Sequence, residues 1–192
     1  MKPEIKICGV TDADFAVEAE RLGADYLGFI FAEGSPRRVT AGFVTATRRR
    51  LRGTARCVGV FTDDTVPEIV AKAVECGLHI VQLHRRATAM EVSKLRAAGF
   101  EVWTLAGGSE GDALLFDSSH GDGETALRKG PFKSVLAGGI SAANVGAALE
   151  SGADVIDASG SLESSRGVKS IALLREFFDA IVVAKRKVGG KC

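Results

Sequence analysis

Apolar residues along this chain fall in short, nearly unbroken runs instead of alternating with polar ones. YLGFIF, IVQL, VWTL and VIDA show the pattern most clearly, and EIKIC, RCVGVF, ALLF and KSVLA repeat it. Strands buried on both faces read this way, and they belong to parallel sheets covered by helices. The runs predict eight strands, at 4–8, 26–31, 56–61, 79–83, 101–105, 113–116, 133–137 and 154–158. Between them the spacing changes to that of amphipathic helices. Phe15, Ala16, Ala19 and Leu22 share one stripe, as do Val66, Ile69, Val70 and Ala73, and again Ile171, Leu174, Phe178 and Ile181. Thr11 with Asp14, Thr65 with Glu68 and Thr88 with Glu91 fit capping-box starts. Gly23, Gly77, Gly99 and Gly152 each stand between a helical stretch and the next strand, where a left-handed residue closes a helix.

Alternating strands and helices leave two architectures, an open doubly wound sheet or a closed (β/α)8 barrel. Eight units favour the barrel. The chain has 192 residues, short for a fold that typically runs to about 250. The shortening is visible between Leu105 and Ala113, where AGGSEGD leaves no room for a helix. The helix after the fifth strand is therefore expected to be missing or reduced to a turn. The expected organisation is one barrel domain over residues 1–184, with a basic, frayed tail over 185–192.

Composition narrows the function classes. A net charge of +1 gives no electrostatic footprint for nucleic acid or an anionic membrane. The RRRLR run at 48–52 reads as a solvated helix face. MKPEIKICG lacks the apolar core of a secretory signal, and no apolar run approaches the roughly 18 residues of a membrane span. The four cysteines, at 8, 57, 76 and 192, show neither CxxC nor metal-ligand spacing. Reduced thiols in a cytoplasmic protein are expected, with Cys57 and Cys76 in the core and Cys192 on the tail.

In such barrels chemistry belongs at the C-terminal ends of the strands. Cys8-Gly9 follows the first strand, Arg37-Arg38 lies in the loop after the second, and His84 ends the fourth. Asp117 ends the sixth, Gly138-Gly139 follow the seventh, and Ser159-Gly160-Ser161 follow the eighth. The two glycine-containing loops suit a phosphate, because glycine lets backbone amides approach an anion; ordinary tight turns are the alternative. Arg37 or Arg38 would clamp a carboxylate or lie on the surface. Asp117 is a functional carboxylate or a helix cap, and His84 a site or a core histidine. Cys8 is a small buried hydrophobe by ordinary expectation. At a barrel mouth it becomes a base or nucleophile if its pKa is lowered from about 8.5.

KICGVTDADFA, GADYLGFIF with SPRR, VGVF, VQLH, FDS, LAGGISAANV and DASGSLE occur in that order across nearly the whole chain. Together they resemble the phosphoribosylanthranilate isomerases of tryptophan biosynthesis. The resemblance implies a (β/α)8 barrel that performs an Amadori rearrangement on a small phosphorylated substrate, with neither cofactor nor metal, and with no nucleic-acid or membrane partner. It implies Cys8 as general base and Asp117 as general acid. Arg37 would bind the anthranilate carboxylate, with His84 and Asp157 also at the substrate. Gly138, Gly139, Ser159 and Gly160 would hold the phosphate. The chain departs from the family pattern at Arg85-Arg86 after VQLH, at HGDGE (120–124), where Asp122 and Glu124 add negative charge, and at Ser159-Gly160-Ser161. These departures keep open a noncatalytic phospho-ligand-binding barrel and a related phosphosugar isomerase with another substrate.

Overall fold

The structure is a computed structural model that describes residues 2–117 and 130–189. Eight parallel strands close into a barrel in chain order. They are β1 (Glu4–Cys8), β2 (Tyr26–Ile30), β3 (Arg56–Phe61), β4 (Ile80–Leu83), β5 (Glu101–Leu105), β6 (Ala113–Asp117), β7 (Lys133–Ala137) and β8 (Val155–Ala158). The seam is the pairing of β1 with β8, in which Lys6 lies opposite Asp157. Helices α1 (Ala13–Leu22), α2 (Ala41–Arg48), α3 (Val66–Cys76) and α4 (Ala89–Ala97) follow the first four strands, α5 (Val145–Glu150) follows β7, and α6 (Ile171–Gly189) follows β8. Residues 106–112 join β5 to β6 through turns without an assigned helix. HGDGE and Cys192 lie outside the described residues. So do residues 190–192 of the expected tail, whereas residues 185–189 belong to α6.

The helix starts show local chemistry at work. Thr65 and Thr88 open α3 and α4 with their own amides donating to Glu68 Oε2 (2.8 Å) and Glu91 Oε2 (2.9 Å). At α1 the cap is Asp12, not Thr11. Asp12 Oδ1 accepts the Phe15 amide at 2.7 Å, because Asp12 directly precedes the first helical residue. Thr11 instead donates to the Gly167 carbonyl at 3.2 Å. The basic run is not wholly a solvated face: Arg48 Nη1 donates to the Cys76 carbonyl at the end of α3 (2.8 Å). A two-stranded hairpin, β9 (Glu163–Ser165) with β10 (Val168–Lys169), follows β8 and has no counterpart in the apolar pattern.

Parity along the strands sorts the core into two layers. Leu27, Phe29, Phe61, Val81, Leu83 and Ile156 point outward and pack under the helices. Tyr26, Val58, Ile80, Trp103, Leu115, Val135 and Val155 point inward and fill the barrel. Trp103 and Tyr26 meet edge to face with centroids 4.9 Å apart. The N-terminal end is closed by polar groups. Tyr26 donates to Glu4 Oε2 (2.8 Å), Lys133 donates to both Glu4 (2.8 Å) and Tyr26 (2.9 Å), and Trp103 Nε1 and Arg56 both reach Glu101 (2.7 and 2.6 Å). Among the described residues, these groups close the N-terminal end of the barrel and leave its C-terminal end open.

Candidate active site

A cavity of about 710 Å³ opens at that end. Of the residues singled out from the sequence, Cys8, Arg37, His84, Asp117, Gly138, Gly139, Asp157, Ser159 and Gly160 line it, and Arg38 does not. Gln82, the last inward side chain of β4, lines it as well.

Cys8 ends β1 and is 7% exposed. Its sulfur lies where β2 has no side chain: a Cβ on Gly28 would stand 2.8 Å from it. Gly9 then turns the chain away at φ +71°, and the stem of Arg37 crosses so closely that a Cβ there would meet its Cδ at 2.6 Å. Ser159 Oγ donates to the Cys8 carbonyl at 3.1 Å and ties β1 to the loop after β8.

Below the thiol, two residues back on the same inward face, stands Lys6. Its ammonium is fully buried and donates to Asp157 Oδ2 at 2.6 Å. Burial works against the Lys6 charge, but Asp157 and Cys8 facing it hold its pKa above the ordinary lysine value. Burial also pushes the Asp157 carboxyl up, with Lys6 opposing. One direction favours a charged pair and the other a neutral one. The pair is charged, because Asp157 and Cys8 both face the Lys6 ammonium at close range and favour its protonated form. The Cys8 thiol is pushed above its ordinary value, chiefly by burial and then by Asp157, while Lys6 and Lys169 pull it down. The groups around it therefore do not lower the thiol as a reactive cysteine would require.

Of the two arginines, Arg37 is the one in the cavity. Arg38 stands in the open and meets Glu33 at 3.2 Å. The Arg37 fork is engaged from behind: Nε and Nη2 donate to the two oxygens of Glu163 at 2.5 and 3.0 Å. Glu163 also accepts the Gly167 amide (2.9 Å) and faces Lys169 Nζ at 3.2 Å. Burial would raise the Glu163 carboxyl, but Arg37, the Gly167 amide and Lys169 together hold it down at about 2. Arg85 donates to both oxygens of Glu91 and so braces the start of α4.

The loops after β7 and β8 are bound to each other. Gly138 and Gly139 both have positive φ, 93° and 64°. Asn144 Nδ2 donates to the Gly139 carbonyl (2.9 Å), Ser161 Oγ to the Ile140 carbonyl, and Lys169 Nζ to the Ser159 carbonyl (2.9 Å). A Cβ on Gly139 would meet nothing within 4 Å, so this backbone is open to a ligand. The cavity thus joins a thiol, a carboxylate and a guanidinium to a glycine–serine rim. Among the described residues no group of three or more His, Cys, Asp or Glu is placed to hold a metal ion. None of the described helices is long and apolar enough to cross a membrane.

Sequence reasoning missed Lys6, Gln82, Glu163 and Lys169. Lys6 carried a readable signal, an ammonium inside an apolar strand and in phase with Cys8. Glu163 and Lys169 lie on the unanticipated hairpin; Glu163 closes the DASGSLE motif, but nothing local gave it a role, and Lys169 carried no signal.

Comparison with known proteins adds independent findings. Residues 5–180 match the family model described as N-(5'-phosphoribosyl)anthranilate (PRA) isomerase. A relative of that name from Granulibacter bethesdensis is 32% identical, over 94% of this chain and 99% of its own. The crystal structure of phosphoribosyl anthranilate isomerase from Thermus thermophilus superposes with a TM-score of 0.81 at 28% identity, covering 94% of this chain and 98% of that one. Another structure of such an enzyme, in complex with reduced 1-(o-carboxyphenylamino)-1-deoxyribulose 5-phosphate, gives a TM-score of 0.79 at 25% identity, covering 94% and 99%.

Proposed function

Because the chain belongs to the N-(5'-phosphoribosyl)anthranilate isomerase family, we propose that it catalyses the Amadori rearrangement of N-(5-phosphoribosyl)anthranilate to 1-(2-carboxyphenylamino)-1-deoxyribulose 5-phosphate in tryptophan biosynthesis. The reaction needs one proton delivered to the furanose ring oxygen and another removed from C2 of the sugar. Asp117 delivers the first as the ring opens. Cys8, as thiolate, removes the second, and the electron pair of the C–H bond moves into the C1–C2 unit. Both transfers use side chains of this chain.

The carrying observation is that Cys8 of β1 and Asp117 of β6 line one cavity together with the glycine–serine rim of the β7 and β8 loops. The phosphate sits at Gly138-Gly139 and Ser159-Gly160, where backbone amides supply the donors. Anchored there, far from the reacting carbon, it holds the sugar in register for both proton transfers. Glu163 occupies Nε and Nη2 of Arg37. Both N–H groups of Nη1 and the second of Nη2 remain, so the substrate carboxylate meets the end of a guanidinium already fixed in place. His84 at the end of β4 and the Oδ1 atom of Asp157 face the sugar. A cytoplasmic site of action accompanies this reading, since phosphorylated sugars are made and consumed there.

The test is turnover of phosphoribosylanthranilate generated in situ, followed by loss of its fluorescence. Wild type is expected to turn over, and Cys8→Ser and Asp117→Asn each to lose at least about a hundredfold. A wild-type protein that binds the reduced product analogue without turnover would make it a noncatalytic binder. Neither turnover nor binding would refute both readings.

A further inference from the structure

Two features at the cavity floor have no part in the proton transfers described above. One is the wholly buried Lys6–Asp157 ion pair, 2.6 Å long, directly below the Cys8 thiol. The other is Asp157 Oδ1, a buried oxygen in the cavity wall that has no hydrogen-bond partner among the described residues. A buried ion pair does little for stability compared with apolar residues of the same volume, so packing does not account for it.

We infer that Lys6 and Asp157 are positioning residues for the base: Lys6 is the cation against which the Cys8 thiolate forms, and Asp157 holds that cation in place and sets how much of its charge the sulfur receives. The inference rests on Cys8 being the base. Strand parity puts Lys6 and Cys8 on one face, and the β1–β8 register puts Asp157 beside Lys6. Because burial pushes the thiol up, only a small fraction of sites hold thiolate at neutral pH; in those the S–H bond breaks and the proton passes to solvent. The sulfur keeps the electron pair opposite the ammonium. The thiolate then takes the C2 hydrogen as a proton and S–H is restored. Lys6 remains charged throughout. Asp157 offsets it in the resting site, which would otherwise bury a lone ammonium at the centre of the barrel.

The charged groups acting on the sulfur come from several elements. Lys6 is on β1, Asp157 on β8 and Lys169 on β10, while Arg37 stands in the loop after β2. Asp157 in turn feels Asp117 and His84. The two partners act on the thiol with opposite sign, and that opposition separates positioning from packing.

The experiment is the pH dependence of iodoacetamide alkylation at Cys8, read by mass spectrometry of its own peptide so that the other cysteines do not contribute. Lys6→Met is expected to move the midpoint to higher pH and to slow alkylation at pH 7 by about tenfold or more, one pKa unit. Asp157→Asn is expected to move it to lower pH. Lys6→Arg, which keeps the cation, should stay near wild type. Should the single variants fail to fold, the neutral pair Lys6→Met/Asp157→Asn leaves no lone buried charge and should still titrate above wild type. Midpoints that stay put, or move the same way in both single variants, overturn the inference and leave a structural pair. Cys8→Ser turnover, measured alongside, separates the two levels. Retained turnover removes the base assignment and this inference with it. Lost turnover with unmoved midpoints removes this inference alone.

Discussion

Replacing Glu163 with glutamine keeps the shape of the side chain and removes only its charge, so it measures what that carboxylate does under Arg37. The carboxylate is 4% exposed and meets both Nε and Nη2 of the guanidinium, with Lys169 and the Gly167 amide completing its surroundings. Its pKa is about 2, against an ordinary 4.5. The difference of about 2.5 units corresponds to about 3 kcal/mol of stability, at about 1.4 kcal/mol per unit. Because the folded-state pKa is depressed, this stability is fully present above pH 4.5 and is lost as pH falls toward 2. Glu163→Gln should therefore unfold at lower urea than wild type at pH 7, by about 3 kcal/mol, which corresponds to roughly 6–12 °C in Tm for a chain of this size. The gap should narrow steadily below pH 4.5 and close as pH falls through about 2, where wild type comes to carry a neutral acid in the same place. Urea melts of both proteins at several pH values decide the matter. A gap that is absent at pH 7, or that stays constant as pH falls, refutes the reasoning.

Three further outcomes follow from the same geometry. With its thiol pushed above the ordinary value by burial, Cys8 should be alkylated by iodoacetamide about tenfold faster per pH unit from about pH 6 to 8; a flat profile there contradicts the raised thiol. Gly9→Ala strains a residue at φ +71° and drives a methyl into the Arg37 stem. It should cost about 1–3 kcal/mol in thermal or urea unfolding and raise KM more than it lowers kcat. Tyr26→Phe removes the hydroxyl shared by Glu4 and Lys133 at the closed end of the barrel. Urea unfolding should show a loss of about 1–2 kcal/mol with turnover unchanged, since the site lies at the opposite end.

Much of this architecture is legible in the sequence because burial on both faces makes a strand visible as an unbroken apolar run. All eight strands are readable to within one residue at either end. The polar residues at the strand ends converge on one cavity for the same reason: parallel strands leave all their C-terminal ends on one side. What stays hidden depends on contacts between distant segments. Lys6 inside EIKIC and Asp157 inside VIDA are each visible as a charge in an apolar run, but nothing local says that they face each other. Glu163 follows the last strand in a stretch with no periodicity, so its grip on Arg37 is a product of the tertiary fold. At α1 the miss is one residue wide. Thr11 and Asp12 both suit a cap, and the geometry of the turn after Gly9 selects Asp12.

The β1–β8 seam also bears on how the protein comes into being. Lys6 and Asp157 are separated by 151 residues of sequence, whereas Lys6 and its other neighbour, Tyr26, pair across adjacent strands. Closing the longer span costs on the order of 2 kcal/mol more in chain entropy, since the cost rises by only about 0.6 kcal/mol for each doubling of length. The penalty is modest, but contacts this far apart in sequence slow folding. During synthesis the strand that bears Cys8 emerges first and its seam partner last. A nascent chain therefore holds Cys8 without Asp157, Ser159 or Gly160 until the eighth strand arrives, and partial barrels released by premature termination lack that wall of the cavity.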